Sequence, residues 1–246
     1  MENSNYLGTE RIGTLLRRFC LPCIFNEENV FVVNLCDRVP QNAHLLVVAA
    51  DPLAYDQNDE MADTFAACFE YHGMQLASVD ICDARTENWT EDLVYGSDVI
   101  IFGGGHVPTE NAFFRRIGLR DLLEDYEGVV IGISAGSMNC ASIVYAQPEL
   151  PGEAVDPAYQ RYLSGLGLTD IMVLPHYQKV KDTIIDGMRL YEDVTYGDNY
   201  DNPFLAIVDG SYVLVENGTS VLFGEGYCIE NGEIEQICAE GCAVEL

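Results

Sequence analysis

The stretch Val129-Val130-Ile131-Gly132-Ile133-Ser134-Ala135-Gly136-Ser137 decides how this chain is read. Apart from Gly132, residues 129 to 133 are β-branched and apolar, the composition of a strand buried on both faces of a parallel sheet. The run then breaks into small residues around one serine, and Met138 to Tyr145 reads as a helix. Ser134 therefore falls on a sharp strand-to-helix turn. The spacing G-x-S-x-G suits a nucleophile there. Small neighbours let the backbone fold tightly, the hydroxyl projects from the sheet edge, and the Ala135 N–H points at the atom under attack. A tight turn without chemistry would use the same residues, so the pentapeptide alone leaves both readings open.

Upstream, Leu45 to Ala50, Leu76 to Ile81 and Val99 to Phe102 read as strands, and Asp59 to His72 carries apolar residues at helical spacing up to Gly73. This alternation predicts an α/β three-layer sandwich around a mainly parallel sheet. Gly103-Gly104-Gly105 follows the third of these strands directly. Consecutive glycines at a strand's carboxyl end permit close backbone approach and aim N–H groups into the crevice where open α/β sheets bind ligands. Neither a P-loop Lys-Ser/Thr nor G-x-G-x-x-G follows, so half of an oxyanion hole, with the Ala135 N–H as the other half, is preferred to a phosphate cradle.

Downstream lies an irregular stretch, Gln147 to Asp170, whose length suggests a lid or binding loop. Ile171 to Leu174 then reads as a strand entering Pro175-His176-Tyr177. A histidine at a strand end suits a general base, and equally a structural role. The remainder reads as β-hairpins: Leu205 to Val208 and Tyr212 to Val215 are strands, with turns at Glu216-Asn217-Gly218 and Glu230-Asn231-Gly232. Asp209-Gly210, between the first two strands, reads by itself as a hairpin turn. Residues 1–40 are less legible. Gly13 to Cys20 is a candidate first strand, and Glu27 to Arg38 fits helix or strand.

With 246 residues, 48% of them hydrophobic, the chain can bury one substantial core, and no linker or repeat is visible. A single domain over 1–246 is expected. The apolar runs fall far short of the roughly 18 residues of a membrane span, and Met1 to Arg18 lacks the core of a secretory signal. The 9 cysteines form no small secreted framework. Both features predict a cytoplasmic protein. Cys20 and Cys23 with Cys238 and Cys242 are too loosely spaced for a convincing zinc site, and the 4 histidines form no H-E-x-x-H pair, so no metal and no cofactor is expected.

A net charge of −28 excludes nucleic acid as a partner and opposes anionic membranes. It reads as a solubilising surface, and it leaves a homo-oligomer open. Against it, the 2 lysines of the chain, Lys179 and Lys181, are substrate-carboxylate candidates, an ordinary solvated pair being the plainer reading.

Taken in order, Val99 to Gly105, Ile131 to Gly136, Pro175-His176-Tyr177 and Val208-Asp209-Gly210 resemble the serine peptidases of the aspartyl dipeptidase (dipeptidase E) and cyanophycinase family. That family's fold is similar to class I glutamine amidotransferases. The resemblance covers roughly residues 43–230. It implies a small-peptide hydrolase with Ser134 as nucleophile, His176 as base, and the N–H groups of Gly105 and Ala135 as the oxyanion hole. Asp209 falls where dipeptidase E has a glutamate proposed as the triad acid. Glu149 falls on an aspartate proposed for the same role. Asp209 is favoured, because a base-orienting group works best on a rigid element. His106 replaces an asparagine near the substrate, and joins Gly104, Lys179 and Lys181 as a substrate-binding candidate. An esterase using the same triad and a silent amidotransferase-like binding module are the alternatives.

Overall fold

The computed structural model describes residues 25–199 and 202–246. The candidate strand at Gly13 to Cys20 and the thiols of Cys20 and Cys23 lie outside the described residues. The chain divides into two compact units between Asn139 and Cys140.

The first unit runs α1 (Phe31–Cys36), β1 (Ala43–Val48), α2 (Tyr55–Tyr71), β2 (Leu76–Cys82), α3 (Thr90–Tyr95), β3 (Val99–Phe102), α4 (Val107–Arg116), α5 (Leu119–Leu123), β4 (Val129–Gly132) and α6 (Ala135–Asn139). The four strands form one parallel sheet in the order β2-β1-β3-β4. Side chains alternate across a strand. Leu45, Val47, Val99 and Ile101 accordingly pack with Ala62, Phe65 and Phe69 of α2 on one face. On the opposite face Phe102 meets Phe114 of α4, with ring centroids 5.0 Å apart. Covering both faces requires apolar residues at successive positions, which explains why β1 from Leu45 onward and β3 read as unbroken apolar runs. Strand order reverses between β1 and β3, and the crevice outside their carboxyl ends is where such sheets bind ligands. The glycine loop starts there, with the Gly103 N–H donating to the Val48 carbonyl at 3.1 Å.

The second unit contains β5 (Ile143–Tyr145), β6 (Tyr162–Ser164), β7 (Met172–Leu174), α7 (Tyr177–Val180), β8 (Ile184–Ile185), β9 (Met188–Arg189), a π-helical turn over Leu190–Thr195, and α8 (Tyr196–Asp198). Then follow β10 (Phe204–Ile207), β11 (Tyr212–Glu216), β12 (Thr219–Phe223), β13 (Gly226–Glu230), β14 (Glu233–Cys238) and β15 (Ala243–Glu245). Its main sheet has the order β14-β13-β10-β7, and β11-β12-β15 form another. Only β7 and β10 in that main sheet pair in parallel. Val173, Leu205, Ile207, Leu222 and Cys238 form a core shared by the two sheets. Both Asn-Gly turns have φ positive at each residue, 52° and 78° at Asn217-Gly218 and 54° and 79° at Asn231-Gly232, as tight antiparallel hairpins require. The α/β sandwich with C-terminal antiparallel strands is therefore as the sequence predicts.

Three local readings are corrected. The helix expected over Met138 to Tyr145 is a short α6 that ends at Asn139, followed by strand β5. Ile143 and Val144 are β-branched and pair with β6, and the Tyr145 ring stacks on Phe204 at 4.4 Å, so packing and β-propensity override the helical spacing. The same pairing places a strand, β6, inside the stretch Gln147 to Asp170 read as irregular. Asp209-Gly210 is also no hairpin turn, because β10 pairs with β7 and β13 whereas β11 pairs with β12 in the other sheet. Of the two options for Glu27 to Arg38, helix is found, over Phe31–Cys36. Among the described residues no helix is long and apolar enough to cross a membrane.

Candidate active site

Ser134 stands beyond the end of β4, with Ile133 alone between them, at φ 53°, a left-handed backbone that ordinarily costs a non-glycine residue on the order of 1–3 kcal/mol. The first turn of α6 holds it there. The Ser134 carbonyl accepts hydrogen bonds from the N–H groups of Ser137 at 3.0 Å and Met138 at 3.2 Å, and from the Ser137 hydroxyl at 2.6 Å. The two flanking glycines are obligatory for space. A Cβ on Gly132 would lie 2.7 Å from Ser137 Cα, and one on Gly136 would lie 2.6 Å from the Phe102 carbonyl oxygen.

The glycine loop after β3 passes beside this serine. A Cβ on Gly104 would lie 3.2 Å from Ser134 Cβ and 3.8 Å from its Oγ, and one on Gly105 would strike Ala50 Cβ at 2.7 Å. Among the described residues the Gly105 and Ala135 amides have no acceptor within reach, so both donors are open. His106 begins α4, with Nδ1 2.8 Å from the Thr109 hydroxyl. Nearby, a pocket of about 430 Å³ is lined by Pro52, Leu53, Thr109, Phe113 and Arg116.

Buried polar side chains that the sequence reading did not single out support the elbow. Asn139 Nδ2 donates to the Ala135 carbonyl at 3.1 Å and to Glu110 Oε2 at 3.0 Å. Its Oδ1 accepts from Asn111 Nδ2 at 2.9 Å. Asn139 and Glu110 are fully buried, so these bonds satisfy groups that water cannot reach. The only hint in the sequence is an asparagine one helical turn after Ala135.

In the second unit His176 leaves β7 on another left-handed backbone, φ 62°, and opens α7. Its Nδ1 is 2.5 Å from Asp209 Oδ1, and both side chains are largely sheltered, 16% and 14% exposed. An ionised carboxylate only accepts, so the proton of that bond sits on Nδ1, and a neutral imidazole then presents a bare Nε2 lone pair. Lys179 Nζ reaches the other oxygen, Asp209 Oδ2, at 2.5 Å. The Asp209 N–H donates to Gln178 Oε1 at 3.1 Å. Burial pushes the Asp209 carboxyl up, but the hydrogen bonds and charges of His176 and Lys179 outweigh it and hold the group below the ordinary carboxylate range.

Glu149 is exposed in the loop after β5, its N–H bonded to Glu153 Oε2 at 2.8 Å. Lys181 is exposed at the end of α7. The structure thus brings Ser134 and Gly104 together in one unit, and His176, Asp209 and Lys179 together in the other. Among the described residues no group of three or more His, Cys, Asp or Glu side chains could hold a metal ion.

A model of peptidase family S51 matches residues 35–223, a span that takes in the glycine loop, Ser134, His176 and Asp209. The chain belongs to peptidase family S51. This S51 protein is a serine-type peptidase of the dipeptidase E and cyanophycinase type. Among solved structures, a candidate peptidase E from Listeria monocytogenes EGD-e is similar to it in fold, with a TM-score of 0.50 and 15% identity over 87% of this chain and 95% of that one. No curated protein matches the S51 chain.

Proposed function

We propose that this S51 peptidase hydrolyses small peptides through a Ser134-His176-Asp209 triad and an acyl-enzyme. The observation that carries the reading is the His176–Asp209 bond, because it fixes the one tautomer of His176 whose Nε2 can accept a proton. His176 takes the Ser134 proton as Oγ attacks the peptide carbonyl, and the N–H groups of Gly105 and Ala135 hold the developing oxyanion. The imidazolium then protonates the leaving amine. Water, activated by the same nitrogen, attacks the ester and releases the acid with Ser134 restored. Asp209 stays ionised throughout and stabilises the cation. The left-handed backbone at Ser134 and the open donors of the glycine loop support the same assignment.

The test is hydrolysis of a dipeptide and short-peptide library, read by mass spectrometry, with wild type, Ser134→Ala and His176→Ala. Either substitution should lower kcat on the order of 10⁴-fold or more. Equal turnover by wild type and Ser134→Ala overturns the triad. Cleavage of activated esters with no peptide cleaved would make the protein an esterase, and failure of a fluorophosphonate to label Ser134 would make it a binding module.

A further inference from the structure

We propose that Lys179 is a positioning residue of the peptidase, and that its ammonium, with the Gln178 side chain, clamps Asp209 in the orientation from which it directs His176. The inference rests on the triad reading and assigns Lys179 to the acid of that triad.

The residues His176, Gln178 and Lys179 lie within one turn of chain, and all reach Asp209, which follows them by 33, 31 and 30 positions. His176 donates to Oδ1 at 2.5 Å, Lys179 pairs with Oδ2 at 2.5 Å, and Gln178 Oε1 accepts the Asp209 N–H at 3.1 Å. The left-handed φ of 62° at His176 is what turns the chain so that one short helix delivers all of them, with the N–H groups of Lys179 and Val180 closing on the His176 carbonyl at 2.8 and 3.1 Å.

The need for such a clamp follows from where Asp209 sits. It occupies the link that carries the chain from β10 in one sheet to β11 in another, so no ladder hydrogen bond fixes its backbone. An aspartate there is free to rotate about two side-chain torsions, and only one orientation puts Oδ1 in line with His176 Nδ1. Occupying Oδ2 with a cation and the main-chain N–H with Gln178 removes that freedom before substrate arrives, which is the general requirement for a group that orients a base. Stability is a poor explanation for the ion pair. Lys179 keeps 29% of its side chain exposed, and such pairs contribute little. In a chain with 2 lysines and 40 acidic residues, one of those lysines is on Asp209.

The experiment compares wild type, Lys179→Met, Lys179→Gln, Lys179→Arg and Ser134→Ala on the best peptide found in the library. Expected for Lys179→Met and Lys179→Gln is a kcat lowered roughly tenfold to a hundredfold with KM unchanged, the size seen when an outer hydrogen-bond partner of a site is removed. Lys179→Arg should recover most of the loss. In the absence of substrate, the low-field proton NMR signal of the His176 Nδ1–H should broaden or move in Lys179→Met and be retained in Lys179→Arg. A loss confined to KM would overturn the clamp and make Lys179 a substrate-carboxylate ligand, and so would full activity in Lys179→Met. Activity surviving in Ser134→Ala would sink the triad itself, so the two failures are distinguishable. If Lys179→Met unfolds, the Gln and Arg variants still decide the matter.

Discussion

The Nδ1 of His176 and the Oδ1 of Asp209 stand 2.5 Å apart although 33 positions separate them in the chain. β7 and β10 bring them together, since these strands pair in parallel and their carboxyl ends lie side by side. Asp209→Asn should therefore lower kcat by about 10⁴, because an amide can present its NH2 to Nδ1 and stabilise the wrong tautomer. Glu149→Gln should leave kcat within about twofold, the range of an exposed loop substitution away from the site. Steady-state kinetics on both variants checks the assignment of the acid.

Gly136→Ala tests the steric origin of the elbow. The added methyl would lie 2.6 Å from the Phe102 carbonyl oxygen and 2.8 Å from that of Gly103, both backbone atoms that cannot step aside. A loss of about 1–3 kcal/mol in urea unfolding is expected, together with loss of fluorophosphonate labelling at Ser134. Gly197→Ala, where no atom of the described residues lies within 4 Å, should be neutral within about 0.5 kcal/mol.

A third expectation concerns the loop after β5. Asp186, at the tip of the β8–β9 hairpin, accepts the Gly152 N–H at 2.8 Å and the Ala154 N–H at 3.1 Å. Charge-assisted bonds of this kind contribute about 1.5–3 kcal/mol. Asp186→Asn, which tolerates the left-handed φ of 52° and keeps one acceptor, should speed amide exchange at Gly152 and Ala154 without moving the global melting temperature. Asp186→Ala should speed it further.

Acid should weaken the first unit through Asp83. Its side chain is fully buried, and it accepts bonds from Arg85 at 2.7 Å and Asn58 at 3.2 Å. Burial raises its pKa, but these bonds and the Arg85 charge bring it below the ordinary 3.8. A lowered folded-state pKa means that the contribution is complete above the unfolded value and disappears as pH falls through the folded one. Urea unfolding between neutral pH and pH about 2 should show wild-type stability falling below pH about 4. Asp83→Asn should be about 1–3 kcal/mol less stable at neutral pH and flatter across that acid range.

What was legible in the sequence follows the range of the forces involved. β3 could be read because burial on both sheet faces demands an unbroken apolar run, β4 because its half-buried residues before Gly132 are β-branched, and the elbow because glycine is the residue that admits a 2.6 Å approach of backbone. The segment Met138 to Tyr145 misled, since its apolar spacing satisfies a helix while its fate was set by a partner strand about 20 residues on. The Asp209-Gly210 dipeptide misled for the same reason: a dipeptide does not state which sheet each neighbouring strand joins.

The sequence by itself determined the alternation of strands β1 to β4 with helices, the position of the serine turn, and the candidate histidine and acids, because composition and local steric limits act over a few residues. Only the tertiary structure decided that Asp209 bonds His176, that Lys179 and Gln178 hold Asp209, and that Asn139 anchors α6 to α4. Each of those contacts acts over less than about 3.5 Å, a distance that depends on strand pairing and helix packing between segments remote in the chain.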